Sequence, residues 1–315
     1  MTPATFTHKT ILITGANSGI GYEAARQCLL LNAERVIFGV RSVKKGQEAI
    51  SALRANPEIN KVNPGARLDV FRLDLDDYRS GLDFARKIKA EMKMLDVFIA
   101  NAGMNVMRFM RSRSGHEKVM QVNAYTHFLI ALELLPLLCS TATIRKSPSR
   151  LVMVGSSAQN MHNLSQLPKD KSIMAYLDDK STYNGFRQYA NSKLVMNAFA
   201  QHLASVIPAR EVIANTVDPG MVATGFDKEL PGWLRGIMYM ARKVFAKSVE
   251  DGGRTLVDAA GIVGEESHGR FLSHTRGAPS DTPPLVGAEG KQFRERLWED
   301  LLADLRNVDE KYRND

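Results

Sequence analysis

Thr10-Ile-Leu-Ile-Thr14, running without a break into Gly15-Ala-Asn-Ser-Gly19-Ile-Gly21, decides how the rest of the chain is read. A short β-prone apolar run passes into three glycines, and helical periodicity begins at Ile20. The glycines therefore occupy a strand-to-helix turn. Their missing Cβ atoms admit close approach, and the helix N-terminus offers unpaired N–H groups and partial positive charge. A dinucleotide pyrophosphate fits such a turn. Glycine also punctuates any tight bend, so the surrounding pattern has to carry the reading.

Outward from that turn, apolar β-prone runs alternate with helical periodicity almost to the end of the chain. This is the pattern of a parallel sheet with helices on both faces. Strands are expected at Thr10 to Thr14, Arg35 to Val40, Leu68 to Leu73, Val97 to Ala100, Arg150 to Val154, Val212 to Val217 and Gly269 to Leu272. Helices are expected at Ile20 to Leu31, Lys44 to Ala55, Tyr78 to Met92, His116 to Cys139, Tyr189 to Val206 and Val249 to Val263. Ser248, with Asp251 three residues on, gives the last of these a capping-box-like start. The fold class is thus α/β, a doubly wound, seven-stranded parallel sheet in a single domain over residues 1–315. Two stretches, 158–188 and 221–247, break the rhythm where an open α/β sheet places its ligand crevice. Gly277 to Gly290 reads as a surface loop before a terminal amphipathic helix over 291–305.

The 315 residues carry 44% apolar and 24% charged side chains, ordinary for a globular protein with a substantial core. The formal charge of +8 is dispersed along the chain. Its tightest cluster, Arg108, Arg111 and Arg113, reads as a solvated loop, so no nucleic-acid partner is expected. Cys28 and Cys139 lie in apolar helical patterns and read as two small buried thiols, which suits a reducing compartment and a cytoplasmic location. The first strand is expected to begin near Lys9, on which ground no secretory signal is expected. The longest apolar stretch, Phe128 to Cys139, is interrupted by Glu133 and is too short to span a bilayer, so no transmembrane segment is expected. None of the seven histidines has metal-ligand spacing, and no metal site is expected.

Twenty residues past Gly21, where a dinucleotide fold sets an acid for a ribose hydroxyl or an arginine for a 2′-phosphate, stands Arg41. Lys44 and Lys45 follow, and Gly39-Val-Arg-Ser42 holds no carboxylate to repel a phosphate, so NADP(H) is favoured over NAD(H). Downstream lies Tyr189-Ala-Asn-Ser-Lys193. Residues four apart share a helix face, which brings the lysine ammonium near the phenol. A unit charge about 4 Å away at an effective dielectric of about 20 is worth on the order of 4 kcal/mol, enough to bring a phenol of pKa about 10 into proton-transfer range.

Thr14-Gly-x3-Gly-x-Gly21, Asn101-Ala-Gly103, Asn123, Ser156, Tyr189-x3-Lys193 and Asp218-Pro-Gly220 through Thr224 together resemble the short-chain dehydrogenase/reductase family. Order and spacing match over roughly residues 9 to 275. Val40-Arg-Ser-Val-Lys-Lys-Gly46 and Ser114-Gly-His-Glu117 leading to Gln121-Val-Asn123 are most similar to its retinol-dehydrogenase and carbonyl-reductase branch. The resemblance implies that Tyr189 is the general acid in carbonyl reduction, that Lys193 lowers its pKa and bonds the nicotinamide ribose, and that Ser156 holds the substrate oxygen. It implies that Asn123 positions Lys193 through a water. Gly15, Asn17, Ser18, Gly19, Ile20 and Gly21 would line the phosphates, and Arg41 and Lys45 would face the 2′-phosphate. Asp74 and Leu75 would lie at the adenine. Asn101, Ala102 and Gly103 would follow the central strand, with Asn101 pinning it. Pro219, Gly220, Val222 and Thr224 would meet the nicotinamide, Thr224 through its carboxamide.

On the residues alone, Asn123 could instead bond backbone in its own helix, and Asp218 could be a turn residue before Pro219. Ser157, adjacent to Ser156, leaves the serine assignment ambiguous and is a candidate substrate contact. The 33-residue gap from Ser156 to Tyr189 exceeds that of compact family members, so the extra chain is either a substrate wall or a bland surface insertion. Trp233, Ile237, Met240 and Val244 recur at helical spacing, with Trp233 and Met240 expected to cover a lipophilic substrate. The expected activity is NADP(H)-dependent reduction of a ketone or aldehyde on a bulky, largely apolar small molecule. The alternatives are an alcohol dehydrogenase working oxidatively, a member recruited to non-redox chemistry, or a non-catalytic cofactor-binding protein. Sequence alone leaves monomer and homo-oligomer open.

Overall fold

The computed structural model describes residues 5–161, 164, 167–168, 171–222, 232, 236, 247–273, 279–309 and 312. Seven strands, β1 (Thr10–Thr14), β2 (Arg35–Val40), β3 (Arg67–Arg72), β4 (Val97–Ala100), β5 (Ser149–Val154), β6 (Val212–Val217) and β7 (Phe271–Leu272), pair in parallel in the order 3-2-1-4-5-6-7. A two-residue β8 (Pro279–Ser280) adds an antiparallel edge to β7. Ile11, Leu12 and Ile13 are all fully buried. Helices cover both faces of β1, which is why it reads as an unbroken apolar run rather than an alternation.

On one face, α1 (Gly19–Leu30), α2 (Val43–Arg54), α3 (Pro57–Val62) and the helix Val249–Gly261 close a core around Ile11, Ile13 and Phe38. On the other, α4 (Tyr78–Glu91), α5 (Lys118–Met120), α6 (Thr126–Arg145), α7 (Ile173–Leu177), α8 (Gly185–Val206) and the terminal helix Gly287–Leu305 pack over Leu12, Phe98 and Met153. Ser248 caps the 249–261 helix as its spacing foretold, accepting the Asp251 N–H at 3.0 Å and donating to the Asp251 carboxylate at 2.7 Å.

Several boundaries move, each for a local reason. Asn184 Oδ1 accepts from Phe186 and Arg187 N–H, so α8 starts four residues ahead of Tyr189. Asn56 caps α3 with Pro57 in its first turn, a start signal too short to show as periodicity. The terminal helix begins at Gly287 rather than 291. Cys28 is buried, but Cys139 is only half-buried; both are free thiols.

The helix expected over 116 to 139 extends further. Glu117 caps α5, a π-helical turn follows at Gln121–Tyr125, and α6 continues to Arg145. The resulting Lys118–Arg145 stretch is long and apolar enough to cross a membrane by length and composition, correcting the expectation that it falls short. In this fold 56% of its apolar window is buried, with Phe128, Leu129 and Leu134 fully enclosed against the sheet and its neighbours.

Candidate active site

Because the seven strands are parallel, the residues that follow them gather along one edge of the sheet. The strand order reverses between β1 and β4, and the glycine turn and Asn101 both sit there. Gly15 and Gly19 hold φ of 68° and 59°, in the left-handed region that favours glycine. A Cβ on Gly21 would collide with the Asn101 side-chain nitrogen and lie 2.8 Å from the Gly15 carbonyl. Ser18, the N-cap of α1, makes no side-chain cap, so no capping side chain takes up the first-turn N–H groups. Left-handed glycines, no room for a Cβ, and a helix start left uncapped are what a pyrophosphate requires.

The neighbouring strand ends complete the nucleotide side. Gly15 N–H donates to the Gly39 carbonyl at 2.8 Å, tying the turn to the end of β2, and Arg41 and Lys45 lie exposed just beyond. Asp74 is buried past β3, its Oδ1 accepting the Asp76 N–H at 3.3 Å. The Leu75 carbonyl accepts Thr126 Oγ1 at 2.8 Å. Val222 is buried beside Ile20, for a Cβ on Gly252 would lie 2.8 Å from both side chains. Asn101 Nδ2 donates to the Thr14 carbonyl at 2.8 Å, which ties β4 to β1. Ala102 packs close to Gly15.

The proton-transfer side lies across β4 and β5. Lys193 is buried, and its Nζ donates to the Val154 carbonyl at 2.7 Å while standing 5.5 Å from the Tyr189 ring centroid. Burial lowers the Lys193 pKa to about 8, with the Asp218 carboxylate pulling it back up. Asp218 does more than turn the chain: Oδ1 accepts Gly220 N–H at 2.8 Å, and Oδ2 accepts Ser157 N–H at 3.0 Å, joining the chain after β5 to the Pro219 turn. Ser156 is half-buried, its Oγ accepting Ala158 N–H at 3.3 Å, while Ser157 is exposed.

Asn123 sits in the π-helical turn and does not bond its own helix through its side chain. Its Oδ1 accepts Met104 N–H at 2.7 Å, and its Nδ2 donates to the Met104 carbonyl and to Ser192 Oγ, each at 3.0 Å. Both amide protons are thus committed. Gly103 lies between this side chain and the lysine: a Cβ there would stand 3.2 Å from Asn123 Oδ1 and 3.9 Å from Lys193 Nζ.

Thr224, Trp233 and Met240 lie outside the described residues, as do Ile237 and Val244. The described part of the 158–188 stretch is held by the terminal helix at the start of α7. Asp300 of the terminal helix accepts the N–H groups opening α7, at 2.5 Å from Ile173, and Arg296 donates to the Pro168 and Lys171 carbonyls. A cavity of about 210 Å³ lies between this stretch and α8, lined by Met161, Tyr176, Tyr183, Arg187 and Asn191 among others.

His127 is the residue that sequence reading passed over. Its signal was a polar side chain in the apolar run Phe128 to Cys139's leading edge, four residues after Asn123 and so on the same helix face. It is fully buried against Thr14.

Residues 9–168 match the model of the short chain dehydrogenase family. A short chain dehydrogenase from Hypocrea jecorina, sor7, is 48% identical over 281 residues, covering 88% of this chain and 78% of that protein. Another from Arthrobotrys oligospora is 36% identical over 96% of this chain and 93% of its own length. Among solved structures, a Pseudomonas aeruginosa RhlG/NADP active-site complex superposes with a TM-score of 0.65 at 21% identity, covering 87% of this chain and 97% of the other. The chain belongs to the short-chain dehydrogenase/reductase family of oxidoreductases.

Proposed function

From that membership we propose that the protein is an NADP(H)-dependent carbonyl reductase of the retinol-dehydrogenase and carbonyl-reductase type, acting in the cytoplasm on a ketone or aldehyde of a bulky, largely apolar small molecule. The observation that carries the reading is the buried Lys193 ammonium, held by the Val154 carbonyl beside the Tyr189 ring. A cation fixed there favours the phenolate, so Tyr189 can give up its proton. When bound, the nicotinamide supplies the hydride to the carbonyl carbon. The residues of this chain do the rest: Tyr189 protonates the carbonyl oxygen at its hydroxyl, Ser156 orients that oxygen, and Arg41 and Lys45 hold the 2′-phosphate. The free cysteines accord with a reducing compartment. An apolar substrate accords with Met161, Phe186 and Met221, large apolar side chains left exposed on segments adjoining Ser157, Tyr189 and Gly220.

A panel of carbonyls followed by NADPH absorbance tests the reading. Tyr189→Phe is expected to lower turnover by about 100-fold or more while NADPH binding, read by fluorescence, stays near wild type. Lys193→Ala is expected to damage both. Substantial turnover by Tyr189→Phe on every accepted carbonyl would refute the assignment.

A further inference from the structure

Thr14 ends β1 and spends its hydroxyl completely. Its Oγ1 accepts the N–H groups of Asn101 at 2.9 Å and Ala102 at 3.0 Å. A hydroxyl has two acceptor lone pairs and one proton, so that proton is left for His127 Nε2, 3.0 Å away. Nε2 therefore carries the lone pair, and the ring's proton sits on Nδ1, which donates to the Asn123 carbonyl at 3.3 Å. The ring is fully enclosed, and burial holds its pKa down to about 3 against the pull of that carbonyl, so it stays neutral and keeps this tautomer.

The series continues. Asn123 Nδ2 donates to Ser192 Oγ, and Ser192 Oγ donates to the Tyr189 carbonyl at 2.7 Å. Joined through Asn123, whose main-chain carbonyl takes one bond and whose side chain makes the next, these hydrogen bonds lead from the end of the strand that opens the glycine turn to the backbone of Tyr189. In this series His127 is the one side chain bridging β1 to the π-helical turn. The carbonyl that His127 holds is the main-chain one of Asn123, in the π-helical turn, while the side chain of the same residue makes the bonds to Met104 and Ser192.

We infer that His127 is a positioning residue for proton transfer: it fixes the Asn123 carbonyl and, through Asn123 and Ser192, the first turns of α8, relative to the cofactor turn. The assignment rests on Tyr189 being the proton donor.

The test separates the two ring nitrogens. His127→Asn keeps a donor near the place of Nδ1, His127→Gln keeps polar atoms near the place of Nε2, and His127→Leu keeps neither. With a carbonyl that the wild type accepts, His127→Asn is expected within about threefold of wild-type kcat. His127→Gln and His127→Leu are expected to lose about tenfold or more in kcat, with KM and the NADPH Kd changed by less than about threefold. ¹⁵N NMR of the histidine ring, assigned by its loss in His127→Asn, should show the neutral Nδ1–H form from about pH 5 to 9. Wild-type kcat in His127→Leu overturns the role, as does an equal loss in the Asn and Leu variants that tracks their melting temperatures, or a ring that titrates in that range. A wild type inert toward every carbonyl, with the tautomer as expected, removes the proton-donor reading and this role with it. That outcome is distinct from an active enzyme indifferent to His127→Leu, which removes the role alone.

Discussion

NADP(H) and NAD(H) differ by a single phosphate, and in the proposed reading Arg41 is the residue that tells them apart. Arg41 stands exposed just past β2, and the hydrogen bond from Gly15 N–H to the Gly39 carbonyl keeps that strand end beside the glycine turn. Ser42 caps α2, accepting Lys45 N–H at 3.4 Å, and the proposed 2′-phosphate contact is assigned to the guanidinium and the first-turn lysine. An arginine–phosphate pair is charge-assisted and often bidentate, and hydrogen bonds to charged groups are worth about 1.5 to 3 kcal/mol. Arg41→Ala is therefore expected to weaken NADPH binding by roughly 10- to 100-fold and to leave NADH nearly unchanged, as read by fluorescence titration of both cofactors. Equal wild-type affinity for the two would show that Arg41 is only a solvated charge. Arg41 was legible because its position relative to the glycines is fixed by one strand–helix–strand unit. His127 was not, because its partner Thr14 is 113 positions away and only the folded sheet joins them.

At the scale of elements, the described part of the 158–188 stretch is fastened by one stripe of the terminal helix. Arg296, Asp300 and Asp304 recur every four residues on one helix face, the first two holding the start of α7 and the third reaching the histidine that holds its end. His116 Nδ1 lies 2.6 Å from Asp178 and its Nε2 3.2 Å from Asp304, while Tyr78 and Tyr125 pack edge-on against the ring. Burial pushes the imidazole pKa down, but the hydrogen bonds to Asp178 and Asp304 prevail and lift it to about 9. A folded-state value raised above the unfolded one contributes stability that is fully present below about pH 6.5 and is lost as pH climbs through about 9. Lys193, lowered to about 8, acts in the opposite sense over part of that window, so the comparison has to be with a variant that keeps it. His116→Asn should be less stable than wild type at pH 6, and the gap should close toward pH 9.5. A gap independent of pH would mean that the ring packs there uncharged. Nothing in the periodicity of 158–188 announced this arrangement, since its fastenings come from the other end of the chain. The π-helical turn was equally hidden, because one inserted residue leaves the apolar pattern of Lys118–Arg145 almost intact.

At the scale of the whole molecule, the glycine turn and the helix that carries Tyr189 and Lys193 belong to opposite faces of the sheet. The nucleotide turn packs into the layer of α1 and the 249–261 helix, where Ile20, Val222 and Gly252 meet. Helix α8, which carries Tyr189 and Lys193, belongs to the other layer, which the terminal helix closes from outside. Phe128 stacks on Phe199 with ring centroids 4.1 Å apart, Trp298 lies over Phe199 and His202, and Leu297, Leu301 and Leu305 are buried beneath. The parallel sheet was readable because each strand–helix unit carries its own apolar run and turn. The lid of this second core was readable only as an amphipathic helix, since amphipathicity tells that a face is covered and not what it covers. Because the two layers have separate cores, a cavity in the second should cost stability without weakening cofactor binding. Leu301→Ala removes a side chain 1% exposed, and such truncations cost about 2 to 5 kcal/mol. The variant should melt well below wild type, yet at 25 °C its folded population should bind NADPH with a Kd within about twofold, because Ala16 and Ile20 of the glycine turn belong to the other core. Kinetically the loss should fall on carbonyl turnover, through α8 and the α7 fastenings. A Kd that weakens in step with the melting temperature would mean that the two layers respond as one body, and an unchanged melting temperature would mean that the terminal helix is not core at all.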